Sequence, residues 1–253
     1  MSLSKIILLL LLVFPDATLF SQEVQRDPVT HQVTNLNEAL RPQGSGRYDL
    51  DNSALNGKKD SISYDNIDGS PFWNPISQSA FLYSNSTYIT TLPVRINLVT
   101  GEAHFLKDST ELVLDNHLIN KIVFKTANDS SVFISQVPNL LLNKEKIDGF
   151  VQVLNVGKYQ LLKYSKRKIS TTEFKSQSQT QTINSYYFTD NDHYFIMHNN
   201  MVENIKKLNR DNLLIYLPSS SNLEPWVKEN NINYKNEEDV VRFLNYYNSR
   251  FNN

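Results

Sequence analysis

The chain has 253 residues, with 25 Lys and Arg against 26 Asp and Glu, a formal charge of −1, 13 Tyr, 13 Phe and no cysteine. The near-neutral balance excludes the broad cationic field of a nucleic-acid binder. The missing cysteines exclude a disulfide scaffold, thiolate metal sites, a cysteine nucleophile and a lipid anchor attached through cysteine.

Lys5, the apolar run Ile6 to Phe14, the Pro15 that stops it and the small Ser21 have the order of a removable export signal over residues 1–21. The run falls short of the roughly 20 apolar residues a bilayer crossing needs. No later stretch approaches that length, so the chain is expected not to span a membrane once the signal is removed. An export signal places the protein in the periplasm or outside the cell. Residues 22–47 are polar and broken by Pro28, Pro42 and Gly44-Ser45-Gly46, which reads as a tether with a short helical piece near Asn35 to Leu40. Asp49-Leu50-Asp51-Asn52-Ser53, with Asp60 further on, has the alternating oxygens of a calcium loop. Ala54 stands where that loop needs glycine and Asp60 where it needs glutamate, so a polar loop is the better reading.

Residues 48–200 read as an antiparallel β domain. Leu92, Val94, Ile96 and Leu98 alternate with Pro93, Arg95 and Asn97, the period of two that marks a half-buried strand. Thr100-Gly101 then turns into Glu102 to Leu106. Short strands follow at Thr110–Leu114, Ile119–Lys125, Val132–Ser135, Gly149–Asn155, Lys158–Tyr164, Asn184–Thr189 and His193–His198, with Asp190-Asn191-Asp192 as one of the intervening turns. Ser165 to Thr182 has almost no apolar content and reads as a long exposed loop. From Met201 the spacing of Val202, Ile205 and Leu208 looks helical, and residues 201–253 read as a helical cap. Asp211 caps a first helix that Pro218 stops, Ser221 to Glu224 opens a second, and Asn236 opens a third whose stripe is Val240, Phe243, Leu244 and Tyr247. The fold class expected is therefore mainly β with a C-terminal helical segment, an antiparallel meander rolled into a barrel, half-barrel or sandwich.

Gly69-Ser70-Pro71-Phe72-Trp73, then Leu92-Pro93-Val94-Arg95-Ile96-Asn97-Leu98 with Gly101-Glu102, Ile122-Val123-Phe124, Gly149 to Leu154 and Gly157 to Lys163 come in that order. Together with Tyr186-Tyr187-Phe188 and the closing Tyr246-Tyr247-Asn248, the chain resembles a family of exported Gram-negative bacterial proteins of unknown function. The resemblance spans roughly Asp49 to Asn248 and implies export, with no catalytic or ligand residue to carry over.

No reactive constellation stands out. The five histidines form no HExxH, and His193 and His198 fall on opposite faces of one strand, so neither a metal nor a cofactor is assigned. Ser165-Lys166-Arg167-Lys168 matches S-x-x-K, but outside a helix. The carboxylate pairs Asp65/Asp68 and Asp190/Asp192 read as solvated turns rather than a glycosidase pair. Phe72, Trp73, Tyr186 and Tyr187 are candidate ligand-binding aromatics, with core packing as their alternative. Lys163, Lys166, Arg167 and Lys168 form a basic loop that suits anionic headgroups or polymers. The function expected is a non-catalytic binding or interaction domain of the cell envelope, with an envelope protein, lipid or glycan as partner. A hydrolase whose carboxylates meet only in the fold, or a structural part of an envelope assembly, are the alternatives.

Overall fold

The computed structural model describes residues 40–42, 47–48, 62–63, 66–108, 110–125, 130–175, 182–218 and 220–251. The export signal, nearly all of the tether with its helical piece up to residue 39, the Asp49 to Asp60 stretch and Asp65 lie outside the described residues. Among the described residues the strands are β1 (Leu40–Pro42), β2 (Arg47–Tyr48), β3 (Ile62–Ser63), β4 (Gln78–Ser84), β5 (Thr87–Ile96), β6 (Ala103–Lys107), β7 (Thr110–Leu114), β8 (Lys121–Lys125), β9 (Ser130–Ile134), β10 (Leu141–Leu142), β11 (Glu145–Lys146), β12 (Val151–Val153), β13 (Gln160–Lys175), β14 (Thr182–His198) and β15 (Met201–Ile205). The helices α1 (Arg210–Leu214), α2 (Glu224–Glu229) and α3 (Glu237–Phe251) follow.

Eleven strands form one antiparallel sheet in the order β1-β7-β6-β5-β4-β8-β9-β12-β13-β14-β15. The mainly antiparallel β fold with a helical C-terminus is as the sequence leads one to expect. Among the described residues the sheet's edge strands are β1 and β15, yet it curls. The Arg167 N–H of β13 donates to the Leu98 carbonyl just past β5 at 2.9 Å, with β4, β8, β9 and β12 between the two in sheet order. This roll is compatible with the half-barrel or sandwich expected.

Alternation decides which side chains face in. Ala80 and Leu82 of β4, Val94 and Ile96 of β5, Phe105 of β6, Ile122 and Phe124 of β8 and Phe133 of β9 share one buried cluster on the inner face. The other end of that face holds Leu161 and Ile196, covered by Val240, Phe243, Leu244 and Tyr247 of α3. The third helix therefore presents the expected stripe. On the outer face Val151, Leu162 and Phe195 are covered by Val137, Leu140 and Ile147, from the connection that carries β10 and β11.

A short clasp holds the roll. Phe72 bridges Asn97 in antiparallel fashion, and Asp68 bridges Tyr187 of β14 in parallel fashion. Gly69 leaves that bridge with φ +99, a left-handed conformation natural to glycine. The Arg167 side chain locks the clasp. Its Nη1 donates to the carbonyls of Ser70 and Phe72, the latter at 2.7 Å, while its Nε donates to Asp190 Oδ1 at 2.7 Å.

Several expectations are corrected here. Ser165 to Lys175 is not a loop but the outer half of β13, paired residue for residue with β14 from Gln160↔Met197 to Lys175↔Thr182. The basic residues Lys163, Lys166, Arg167 and Lys168 therefore sit in a strand. Asp190-Asn191-Asp192 is no hairpin tip but mid-β14, opposite Arg167, Lys166 and Ser165. Both misreadings share a cause: a two-stranded ribbon closed by cross-strand polar pairs needs no apolar face, and so shows no hydrophobic period. Met201 to Ile205 is a strand rather than a helix start. Val202 packs on the outer cluster and Ile205 on the inner one, which is how residues three apart lie in a strand. Asn209, not Asp211, caps α1, its side-chain oxygen accepting from the Asn212 N–H at 2.8 Å. The Ser221 capping box is absent, because Ser220–Leu223 forms a 3₁₀ turn and α2 begins at Glu224 without a side-chain cap. Strand β4 carries aromatics on its outer positions and escapes a simple apolar alternation.

Candidate functional site

Strand β15 returns antiparallel along β14 through the Asn199-Asn200 turn, where both residues have positive φ (47° and 60°), the conformation that two-residue hairpins favour. Pairing ends at Tyr194↔Ile205. The chain then leaves the sheet because Leu208 is buried in the helical core and Asn209 caps α1. Lys206 and Lys207 are left exposed on the departing segment. From the other side comes the lead-in to α3, where the Asn233 side chain accepts from the Lys235 N–H at 3.0 Å and the Asn236 side chain accepts from the Asp239 N–H at 3.0 Å.

Between them lies a cavity of about 300 Å³ lined by Asp192, His193, Tyr194, Asn204, Ile205, Lys206, Lys207, Leu208 and Lys235. Two of its lining residues, Asp192 and Tyr194, belong to a half-buried network. Lys163 Nζ lies 2.9 Å from Asp192 Oδ2 and 2.9 Å from Glu237 Oε2. The Tyr194 hydroxyl donates to Glu237 Oε2 at 2.7 Å. Burial alone lowers the Lys163 pKa, but the bonds to Glu237 and Asp192 more than reverse this and hold it well above the ordinary lysine value. Burial, then the bond to Glu237, raises the Tyr194 phenol far above its ordinary value. His193 is pushed down, first by burial and then by Lys168 and Lys166, with Asp192 pulling the other way.

Lys163 stays charged, Tyr194 stays protonated, and the two carboxylates are each engaged. Lys206, Lys207 and Lys235 form no ion pair among the described residues. The cavity wall therefore carries three lysines without an ion pair among the described residues, against one net negative charge in the network beside it.

A second polar cluster lies on the outer face of β5, β6 and β7. His104 is fully buried. Its Nδ1 is 3.1 Å from Glu111 Oε1, and its Nε2 has no hydrogen-bond partner, with Glu102 Oε2 3.6 Å away. Arg95 Nη2 lies 2.6 Å from Glu111 Oε1, and its guanidinium sits 3.7 Å over the Phe72 ring. Burial raises the Glu111 pKa, but the bonds from Arg95 and His104 outweigh it and leave the carboxyl below its ordinary value.

The aromatics singled out from the sequence do not converge. Phe72 is buried, with Arg95 over its face and His104 in edge contact at 5.6 Å, so it belongs to the packing and offers no accessible ring. Trp73 is half-buried against Phe124 and Phe133 at 5.3 and 5.0 Å. Tyr186 and Tyr187 point to opposite faces of β14, and of the two only Tyr187 is exposed. Of the basic group, Lys163 lies in the network beside the cavity, Arg167 locks the clasp, and Lys166 and Lys168 are exposed on the outer face of β13. Lys206, Lys207 and Lys235 were missed; adjacent lysines after a strand end are the one local signal. Among the described residues no three His, Asp or Glu side chains gather as a metal site, and no helix is long and apolar enough to cross a membrane. Comparison with protein families, curated proteins and solved structures finds no match.

Proposed function

We propose that the protein is an exported cell-envelope domain that binds a partner through an anionic group received in the cavity between β15 and α3. The observation that carries this reading is the wall of three lysines without an ion pair among the described residues, which outweighs the one net negative charge of the network beside it. A cavity with a net positive wall concentrates and orients anions, and the bonded groups beside it do not have to reorganise on binding. Export rests on the apolar run after Lys5 and on the family resemblance. Isothermal titration with inorganic phosphate and with acetate tests the reading, on the wild type and on the triple variant Lys206→Gln, Lys207→Gln, Lys235→Gln. Saturable binding that weakens with salt and is lost in the variant supports it. Equal binding by both proteins, or none by the wild type, overturns it.

A further inference from the structure

The cavity lies where β15 abandons the edge of β14, and beyond it no strand among the described residues covers that edge as far as Phe188. In an antiparallel pair a residue points its own N–H and C=O at the same neighbour, and successive residues alternate between neighbours. The Asp68 N–H donates to the Tyr186 carbonyl at 2.9 Å and the Phe188 N–H donates to the Asp68 carbonyl at 3.2 Å, so even-numbered residues of β14 face this edge. Tyr194, opposite Ile205, is the next to be paired there. Asp190 and Asp192 fall between the two. Their main-chain groups face the edge, and among the described residues no strand pairs with them. The gap from Phe188 to Tyr194 is about 20 Å at the usual rise per residue, room for four or five extended residues. Of the acids at the gap, Asp190 is paired with Arg167, while Asp192 shares the Lys163 ammonium with Glu237, so one net negative charge stands against the three lysines.

We infer that this gap is a strand-addition slot for the C-terminal residues of a partner polypeptide, whose terminal carboxylate is held by Lys206, Lys207 and Lys235. The inference rests on the anion-binding reading of the same cavity and names its ligand class. The lysines stand at the Tyr194 end of the slot, so the peptide runs parallel to β14, in the direction the Asp68 segment already takes. Main-chain hydrogen bonds to Asp190 and Asp192 supply sequence-independent affinity, and the carboxylate fixes register and direction.

The test is an amide NMR titration of the full chain with three pentapeptide mixtures randomised in sequence: free carboxylate, C-terminal amide, and free carboxylate with N-methylated backbone. Inorganic phosphate serves as the reference anion. The expected result is that the free-carboxylate mixture shifts the Lys206 and Lys207 amides and also shifts and protects those of Asp190 and Asp192. Amidation then weakens binding about tenfold, as loss of a charged anchor should. N-methylation removes the protection at Asp190 and Asp192. Should the peptides move only the amides that phosphate moves, the slot is refuted while the anion cavity stands. If neither phosphate nor peptide moves them, both readings fall. Concentration-dependent shifts at Asp190 and Asp192 without peptide would assign the edge to a second copy of the chain and overturn the inference.

Discussion

Replacing Arg167 by Met should weaken the fold far more than replacing its acidic partner Asp190 by Asn. The guanidinium donates to two main-chain carbonyls of the clasp, Ser70 and Phe72, as well as to Asp190. The Arg167 side chain is 20% exposed and that of Asp190 is 62% exposed. Hydrogen bonds from a charged donor contribute about 1.5–3 kcal/mol each, and in Arg167→Met both carbonyls are left without their donor. Partial access of water reduces the sum, giving a loss of about 2–4 kcal/mol. The exposed ion pair itself is worth about 0–1 kcal/mol, so Asp190→Asn stays within that range. With a urea slope of about 2–3 kcal/mol/M, Arg167→Met lowers the unfolding midpoint by roughly 1 M. Urea unfolding followed by fluorescence and by far-UV circular dichroism measures both variants. Arg167→Met within 0.3 M of wild type, or Asp190→Asn as damaging as Arg167→Met, would refute the assignment of the clasp to the main-chain bonds.

Gly157 sits at φ +126, and a Cβ there would lie 2.5 Å from Asn248 Nδ2, so Gly157→Ala should displace α3 and destabilise by at least about 2 kcal/mol in thermal unfolding. Asn248 bonds the Tyr159 N–H at 3.0 Å and the carbonyls of Tyr159 and Val156 at 2.9 and 3.1 Å, so Asn248→Ala should cost about 2–4 kcal/mol by the same assay. Lys163 and Tyr194 both have folded pKa values raised above their unfolded ones. Their contribution is therefore complete below about pH 10 and lost as the pH climbs through the folded values, so Tyr194→Phe should flatten the alkaline loss of stability; an unchanged slope removes the network from the account. Glu111 is depressed below its ordinary value, so its contribution is present above about pH 4.5 and lost as the pH falls through the lower folded value. Acid unfolding of Glu111→Gln should accordingly show a shallower dependence on pH than wild type.

The sequence exposes whatever the fold writes as periodicity. The alternation at Leu92 to Leu98 and the stripe of Val240, Phe243, Leu244 and Tyr247 each follow from one buried face, and each appears in the structure where that face is buried. The long ribbon of β13 and β14 is different. Its outer half is held by ladder bonds and by cross-strand pairs such as Arg167 with Asp190 and Ser170 with Thr189, so it looks like a loop in one dimension. The candidate site is harder still to see. Lys163, Asp192 and Glu237 come from β13, β14 and α3, and nothing local in the sequence announces that the Lys163 ammonium meets two carboxylates. Phe72 and Trp73 were visible as an aromatic knot, but whether a ring faces solvent or a guanidinium depends on residues such as Arg95 that only the sheet register brings over it.

Anion binding at the lysine wall is tested most directly by the amide spectrum of the full chain titrated with inorganic phosphate at low salt. Saturable shifts are expected, confined to Asp192 to Tyr194, Asn204 to Leu208 and Lys235 and abolished by the triple lysine-to-glutamine variant. Shifts centred elsewhere, or none at these residues, would contradict it.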